Sequence, residues 1–273
     1  MVDRIYIARH GYRLNWDTTS WKSVTGLPRD PPLAAFGVTQ AEELAVYFTS
    51  LPEDERPTAI FSSPYYRCLQ TSTPVSKALG IPIYVEHGLS EWYSPVAPGS
   101  GLHPRPGSAT HLQTFFPHID PTWQSIYYPS RKGEDVDAVH DRVGQCVKAL
   151  VEDLQTREPE KPHRVLLVSH AATIIALVRE LVGDRELKLR PGCCSLSKLE
   201  RKKDAGGVLG GYEAKLLADG SHMEGGSTRD WGFEDIVIAD GKVVNDQGQP
   251  GSEGEVDDPV GLQVREHDVS SRM

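Results

Sequence analysis

No stretch of this chain approaches the roughly 18 to 20 consecutive apolar residues that span a bilayer. Its first apolar run contains Asp3 and Arg4, which removes the uncharged core that a secretory signal needs. Cysteine is scarce: Cys68, Cys146, Cys193 and Cys194 show no CxxC spacing, so neither a zinc knuckle nor a dithiol redox motif is expected. Asparagine is scarcer still, and neither Asn15 nor Asn245 heads a glycosylation sequon. Together these absences point to a reducing interior, cytoplasm or nucleus, with no membrane contact expected. Bases are short as well, 29 Lys and Arg against 38 Asp and Glu for a net charge of -9. No surplus cation is left to replace the counterions of a nucleic acid, so direct nucleic-acid binding is not expected. There is no HExxH, and the ten histidines show no other ligand spacing, so neither a metal nor another cofactor is expected.

What is present is ordinary for a globular chain: 273 residues, 38% hydrophobic and 25% charged, enough for a sizeable core. Strands are expected over 4–9, 58–63, 81–86 and 164–170, and two more without an intervening helix in "CSLSKLERK" and "YEAKLLADG". Thr39 with Glu42 three places later has capping-box spacing and predicts a helix over 39–51. Pro64 suits the first turn of a helix that carries Arg67 to about Leu79. Val139, Val143, Cys146, Leu150 and Leu154 give the helical period over 137–155, and "AATIIALVREL" reads as a helix packed on the sheet. Alternating strands and helices predict an α/β fold, a three-layer α/β/α sandwich with a mainly parallel sheet and an antiparallel edge. Residues 93–135 hold seven prolines among aromatics and read as an insertion forming a lid or pocket wall. One domain is expected over 1–244. Beyond it, residues 246–273 carry seven acids and two bases, which predicts a disordered acidic tail from 245 to 273.

The chemistry gathers at strand ends. "DRIYIARHGYR" closes a buried-looking strand on Arg9, His10 and Arg13, charged groups that must be solvated or paired. In an open α/β sheet the ligand site lies beyond the carboxyl ends of the strands, and His10, Ser62, Ser63 and His170 all stand at such ends. Arg67 falls in the first turn of its helix, where free N–H groups already favour an anion. A phosphate dianion needs several fixed positive donors, and arginine supplies charge that deprotonation cannot remove.

The segments "ARHG" at 8–11, "DPPLAAFGVTQA" at 30–41, "FSSPYYRCLQT" at 61–71, "GLSEW" at 88–92 and "LLVSHAATI" at 166–174 resemble, in this order, the histidine phosphatase superfamily of phosphoglycerate mutase-like proteins. The resemblance covers about residues 4–182. It implies that His10 becomes phosphorylated, that Arg9, Arg67 and His170 hold the phosphoryl group, and that Glu91 donates the proton. Arg13 is expected to border the phosphate and Asn15 to lie in the substrate-binding region, although Asn15 is one residue short of the asparagine found in the mutases. Two groups are nearest in the aromatic segments: the phosphatase domain of the ubiquitin-associated, SH3-containing proteins, and the phosphatase-like subunit of the fungal RNA polymerase III transcription factor C.

The resulting expectation is a metal-independent phosphomonoesterase acting on a phosphorylated small molecule or phosphopeptide. The alternatives are an interaction subunit with protein partners in a nuclear transcription complex, and a phosphosugar mutase.

Overall fold

The computed structural model describes residues 1–157 and 163–263. Six strands form the main sheet: β1 (Val2–Arg9), β2 (Ala59–Ser62), β3 (Ile83–Val85), β5 (His163–Ser169), β6 (Leu196–Arg201) and β7 (Tyr212–Asp219). Their spatial order is β3-β2-β5-β1-β6-β7. The first four run parallel, while β6 and β7 are antiparallel, forming the expected edge.

Alternation within each buried strand sends side chains to two cores. Ile5, Ile7, Phe61, Val165 and Leu167 pack under α4 (Val136–Arg157) and α5 (Ala171–Val182). Tyr6, Ala8, Ile60, Leu166 and Val168 pack under α1 (Ala35–Ser50) and α2 (Tyr66–Leu79). Strands covered on both faces need apolar residues at successive positions, which is why "RVLLVS" is nearly unbroken. Among the described residues no helix is long and apolar enough to cross a membrane.

Helix α1 begins four residues before the expected capping box. Its N-cap is Ala34, whose N–H donates to Tyr12 O at 2.9 Å, and Thr39 lies inside the helix with its hydroxyl on Ala35 O. The early start follows from a close backbone approach. A Cβ on Gly11 would lie 2.6 Å from Gly37 O, and one on Gly37 would lie 2.2 Å from Tyr12 O. Only glycine at both positions lets the helix nest on the loop after β1. Helix α2 starts at Tyr66 rather than Pro64, with Asp30 Oδ2 accepting from Tyr66 N at 2.9 Å.

The 93–135 insertion is mostly irregular, with a short helix α3 (Ala109–Gln113) and strand β4 (Tyr127–Tyr128). It is tied to the body by Glu86, whose buried carboxylate accepts from Gly88 N, Trp123 Nε1, Ile126 N and Tyr127 N. Burial pushes the Glu86 pKa up, and those donors pull it part of the way back.

Residues 245–263 of the expected acidic tail are among the described residues. A hairpin of β8 (Ile238–Ala239) and β9 (Lys242–Val243) leads into 245–263, which folds back along the insertion instead of leaving it. Asp246 pairs with Arg29 at 2.7 Å, Glu255 with Arg131 at 2.6 Å and Asp257 with Arg105 at 3.2 Å. Strand β10 (Gly261–Leu262) then pairs with β4. Composition suggested disorder because the acids look unbalanced along the chain; their counterions are arginines more than a hundred residues away. Residues 264–273 of the expected tail lie outside the described residues.

Candidate functional site

Register builds the site. Arg9 stands opposite Ser169 in the parallel β1–β5 pair, so His10 and His170 emerge side by side, ring centroids 5.4 Å apart. His10 N donates to Ser169 O at 3.0 Å, and Ser63 N donates to Val168 O at 2.9 Å, bringing the end of β2 to the same edge.

His10 is buried, and its Nδ1 lies 2.8 Å from Gly11 O. A carbonyl can only accept, so Nδ1 carries the proton and the lone pair is on Nε2. Burial and then the charges of Arg67 and Arg9 push its pKa well down, which keeps the imidazole neutral. That is the state a nucleophile needs.

Three contacts converge on His170: Arg67 Nη2 at 3.1 Å and Glu91 Oε2 at 3.3 Å from Nδ1, and Ser63 Oγ at 2.8 Å from Nε2. Burial lowers its pKa to about 4 against the opposing pull of Glu91, so His170 is neutral at pH 7.

Arg67 is fully buried and held from two sides, by Asp30 Oδ1 at 3.1 Å and Glu91 Oε2 at 3.0 Å. Its guanidinium also sits 4.7 Å from the centre of the Tyr65 ring. Asp30 was not among the expected site residues. Its carboxylate orients Arg67 and caps α2 with its other oxygen. The available signal was an acid fixed before Pro31 and Pro32 on the loop facing that helix.

Arg9 is buried and donates through Nη1 to Pro191 O at 2.8 Å and to Arg229 O. Arg13 sits over Trp16, its guanidinium carbon 4.2 Å from the ring centre, with its Nε buried and without a partner. Burial and the neighbouring Arg67 push its pKa down to about 10, still cationic at neutral pH. Glu91 follows the short turn His87–Leu89, and the Ser90 carbonyl before it is fixed by Arg142 Nη1 and Thr173 Oγ1. Burial raises the Glu91 pKa, but His170, Arg67 and Arg13 outweigh it and hold the carboxylate ionised.

Arg9, His10, Arg13 and Glu91 line one cleft of ≈ 200 Å³ together with Trp92, Trp231, Ala171 and Ala172. The last two belong to the first turn of α5, where main-chain N–H groups lack helical partners. His170 and Arg67 form the buried layer beneath. Asn15 is not among the lining residues; the turn Leu14–Trp16 brings Trp16 to within 6.3 Å of the His10 ring and leaves Asn15 Oδ1 buried without a partner. Trp231, which does line the cleft, was not expected: it lies in an irregular segment with no local signal.

His10, Glu91 and His170 offer ligand atoms within 4.8 Å of one another, a spacing that could hold a metal ion. Three guanidiniums surround them, and Arg67 Nη2 already occupies both Glu91 Oε2 and His170 Nδ1. The electrostatics of this cluster favour an anion.

The sequence model of the histidine phosphatase superfamily (branch 1) matches residues 5–210. The transcription factor tau 55 kDa subunit of Saccharomyces cerevisiae is 41% identical over 212 residues, covering 73% of this chain and 48% of that protein. Ubiquitin-associated and SH3 domain-containing protein A of Homo sapiens is 25% identical over 166 residues, 59% of this chain and 24% of that protein. The chain therefore spans about half the length, or less, of these curated relatives. Among solved structures, the ecdysone phosphate phosphatase of Bombix mori superposes with a TM-score of 0.58 at 17% identity, covering 79% of this chain and 93% of that one. A mycobacterial glucosyl-3-phosphoglycerate phosphatase superposes at 0.51 and 21% identity, covering 79% and 99%. At such identities the likeness is one of fold, and it agrees with the parallel sheet and flanking helices described above.

Proposed function

The chain belongs to the histidine phosphatase superfamily, branch 1, and on that premise we propose that it is a metal-independent phosphomonoesterase working through phosphohistidine at His10. One observation carries the reading. A neutral imidazole with its Nε2 lone pair available stands in a cleft lined by Arg9 and Arg13, above a buried Arg67.

In this mechanism the ester's phosphate dianion sits among Arg9, Arg13, Arg67 and the N–H groups of α5. Nε2 of His10 attacks phosphorus; the N–P bond forms as the ester P–O bond breaks, and the departing oxygen takes a proton from Glu91. Water then attacks phosphorus, the electron pair of the N–P bond returns to Nε2, and the water's proton goes to Glu91. Alcohol and inorganic phosphate are released, and the enzyme is restored. Glu91 must therefore be protonated when substrate is bound. The incoming dianion competes for the same cations that hold Glu91 ionised in the empty cleft, and so raises its pKa.

Phosphate trapped on His10 after an alkaline quench, located by mass spectrometry, is the expected result. His10→Ala should lose turnover on the order of a thousandfold or more. A His10→Ala protein hydrolysing p-nitrophenyl phosphate at the wild-type rate would overturn the proposal.

The 41% identity to the tau 55 kDa subunit favours a second, compatible reading, in which the domain is also a subunit of a nuclear transcription complex. Affinity purification from native extract should recover protein partners; a chain that elutes alone with robust turnover counts against the subunit role.

A further inference from the structure

Beside the site, against Trp16, stands an exposed charge that a simple monoester does not use. Arg229 places its guanidinium carbon 5.4 Å from the Trp16 ring centre and 5.7 Å from that of Tyr12, and donates to the Tyr12 hydroxyl at 3.4 Å. Trp16 in turn lies 6.3 Å from the His10 ring and 5.0 Å from Tyr12. One indole therefore neighbours both Arg229 and the nucleophile.

The main chain at this residue is fixed by the site itself. Arg229 has φ 56°, the left-handed region that a side chain with a Cβ rarely adopts. Its carbonyl accepts from Arg9 Nη1, and the preceding Thr228 O accepts from Cys193 N at 2.7 Å. A strained arginine held in place by a phosphate-site arginine is positioned by the surrounding structure rather than by local preference.

Its charge is also unspent. Among the described residues no carboxylate forms an ion pair with Arg229. The neighbouring Asp230 binds Arg190 at 2.7 Å, and Arg190 also holds Glu234 and Asp235. Arg67 offers a contrast, since Asp30 and Glu91 both neutralise it. Trp92 and Trp231, ring centroids 6.3 Å apart, form the apolar part of the cleft wall.

We propose that Arg229, on its Tyr12–Trp16 seat, is a second anion subsite, so that favoured substrates are phosphomonoesters whose leaving group carries a further negative group, carboxylate or phosphate. The inference rests on the phosphatase reading above. Arg229 lies outside the 5–210 family match, so that match assigns it no role.

The test compares para-carboxyphenyl phosphate with its neutral isostere para-carbamoylphenyl phosphate, and adds para-phenylene bisphosphate as a third arm. The expected kcat/KM is about tenfold higher for the charged esters, mainly through KM, and the advantage shrinks at high salt. Arg229→Gln should collapse that ratio to near one, and Arg229→Lys should keep part of it. A merely structural role for Arg229 would depress all three substrates together and leave the ratio intact, which would overturn the subsite, as would equal hydrolysis of charged and neutral esters by the wild type. Whichever charged ester is faster identifies the preferred second group. If the neutral ester turns over through phosphorylated His10 without any preference, the subsite alone fails; if no ester turns over and His10 is never phosphorylated, the phosphatase reading fails.

Discussion

The floor of the cleft is assembled by backbone pairing between neighbouring strands, whereas the insertion over 93–135 is held mainly by side chains: Trp123, Ile126, Leu112, Phe116 and Ile119 enter the two apolar cores, and polar groups reach across long stretches of chain. His10, Ser63 and His170 are aligned by the β1–β5 and β2–β5 ladders, and any sequence that keeps those strands in register keeps them aligned. The insertion has only the two residues of β4 in a sheet. Beyond that packing, its position depends on Glu86 and on the pairs that Arg131 and Arg105 make with Glu255 and Asp257. Changes in the floor should therefore act first on chemistry, and changes at the insertion's anchors first on stability.

Glu86→Ala tests that contrast most severely. It strands buried donors on Gly88, Trp123, Ile126 and Tyr127, and should cost about 4 kcal/mol in urea unfolding. A loss below about 1 kcal/mol would mean that apolar packing positions the insertion instead. Arg67→Ala should lower kcat/KM about a hundredfold, roughly 3 kcal/mol of transition-state stabilisation. It should do so in a protein whose insertion is still in place, as checked by protection of 93–135 from proteolysis. Loss of that protection would show that floor and insertion are one cooperative unit.

The smallest effect comes from acid. His170 in the floor and His87 beneath the insertion are both lowered by burial to about 4. Below pH 6.5 the unfolded chain binds protons that these folded histidines refuse, so stability falls as pH falls towards 4 and is flat above 6.5 on their account. At pH 5.5 each should cost about 1.4 kcal/mol. His87→Gln should remove the insertion's share of that slope; an unchanged slope would place the acid sensitivity wholly in the floor.

The floor was legible because its signals are local. Apolar strands ending in His10 and His170, and an arginine one turn into a helix, follow from residue order and the rule that parallel strands present their carboxyl ends together. Asp30 was missed because its partner, Arg67, is far along the chain. The start of α1 was misplaced because Thr39 and Glu42 satisfy a local pattern that the Gly11–Gly37 contact overrides. In the acidic segment the partners of Asp246, Glu255 and Asp257 are Arg29, Arg131 and Arg105, far along the chain, which residue order does not show.

By itself the sequence determined which residues alternate between two apolar faces, where strands end in ionisable groups, and hence the α/β sheet and most of the side chains that gather at the candidate site. Only the tertiary structure decided that Glu91 rests ionised, that Asp30 and Glu91 share Arg67, that Trp231 reaches the cleft, and that residues 245–263 fold back along the insertion. The reason is physical: periodicity and strand termini are properties of neighbouring residues, whereas burial, charge pairing and pKa depend on atoms that become neighbours only when the chain has folded.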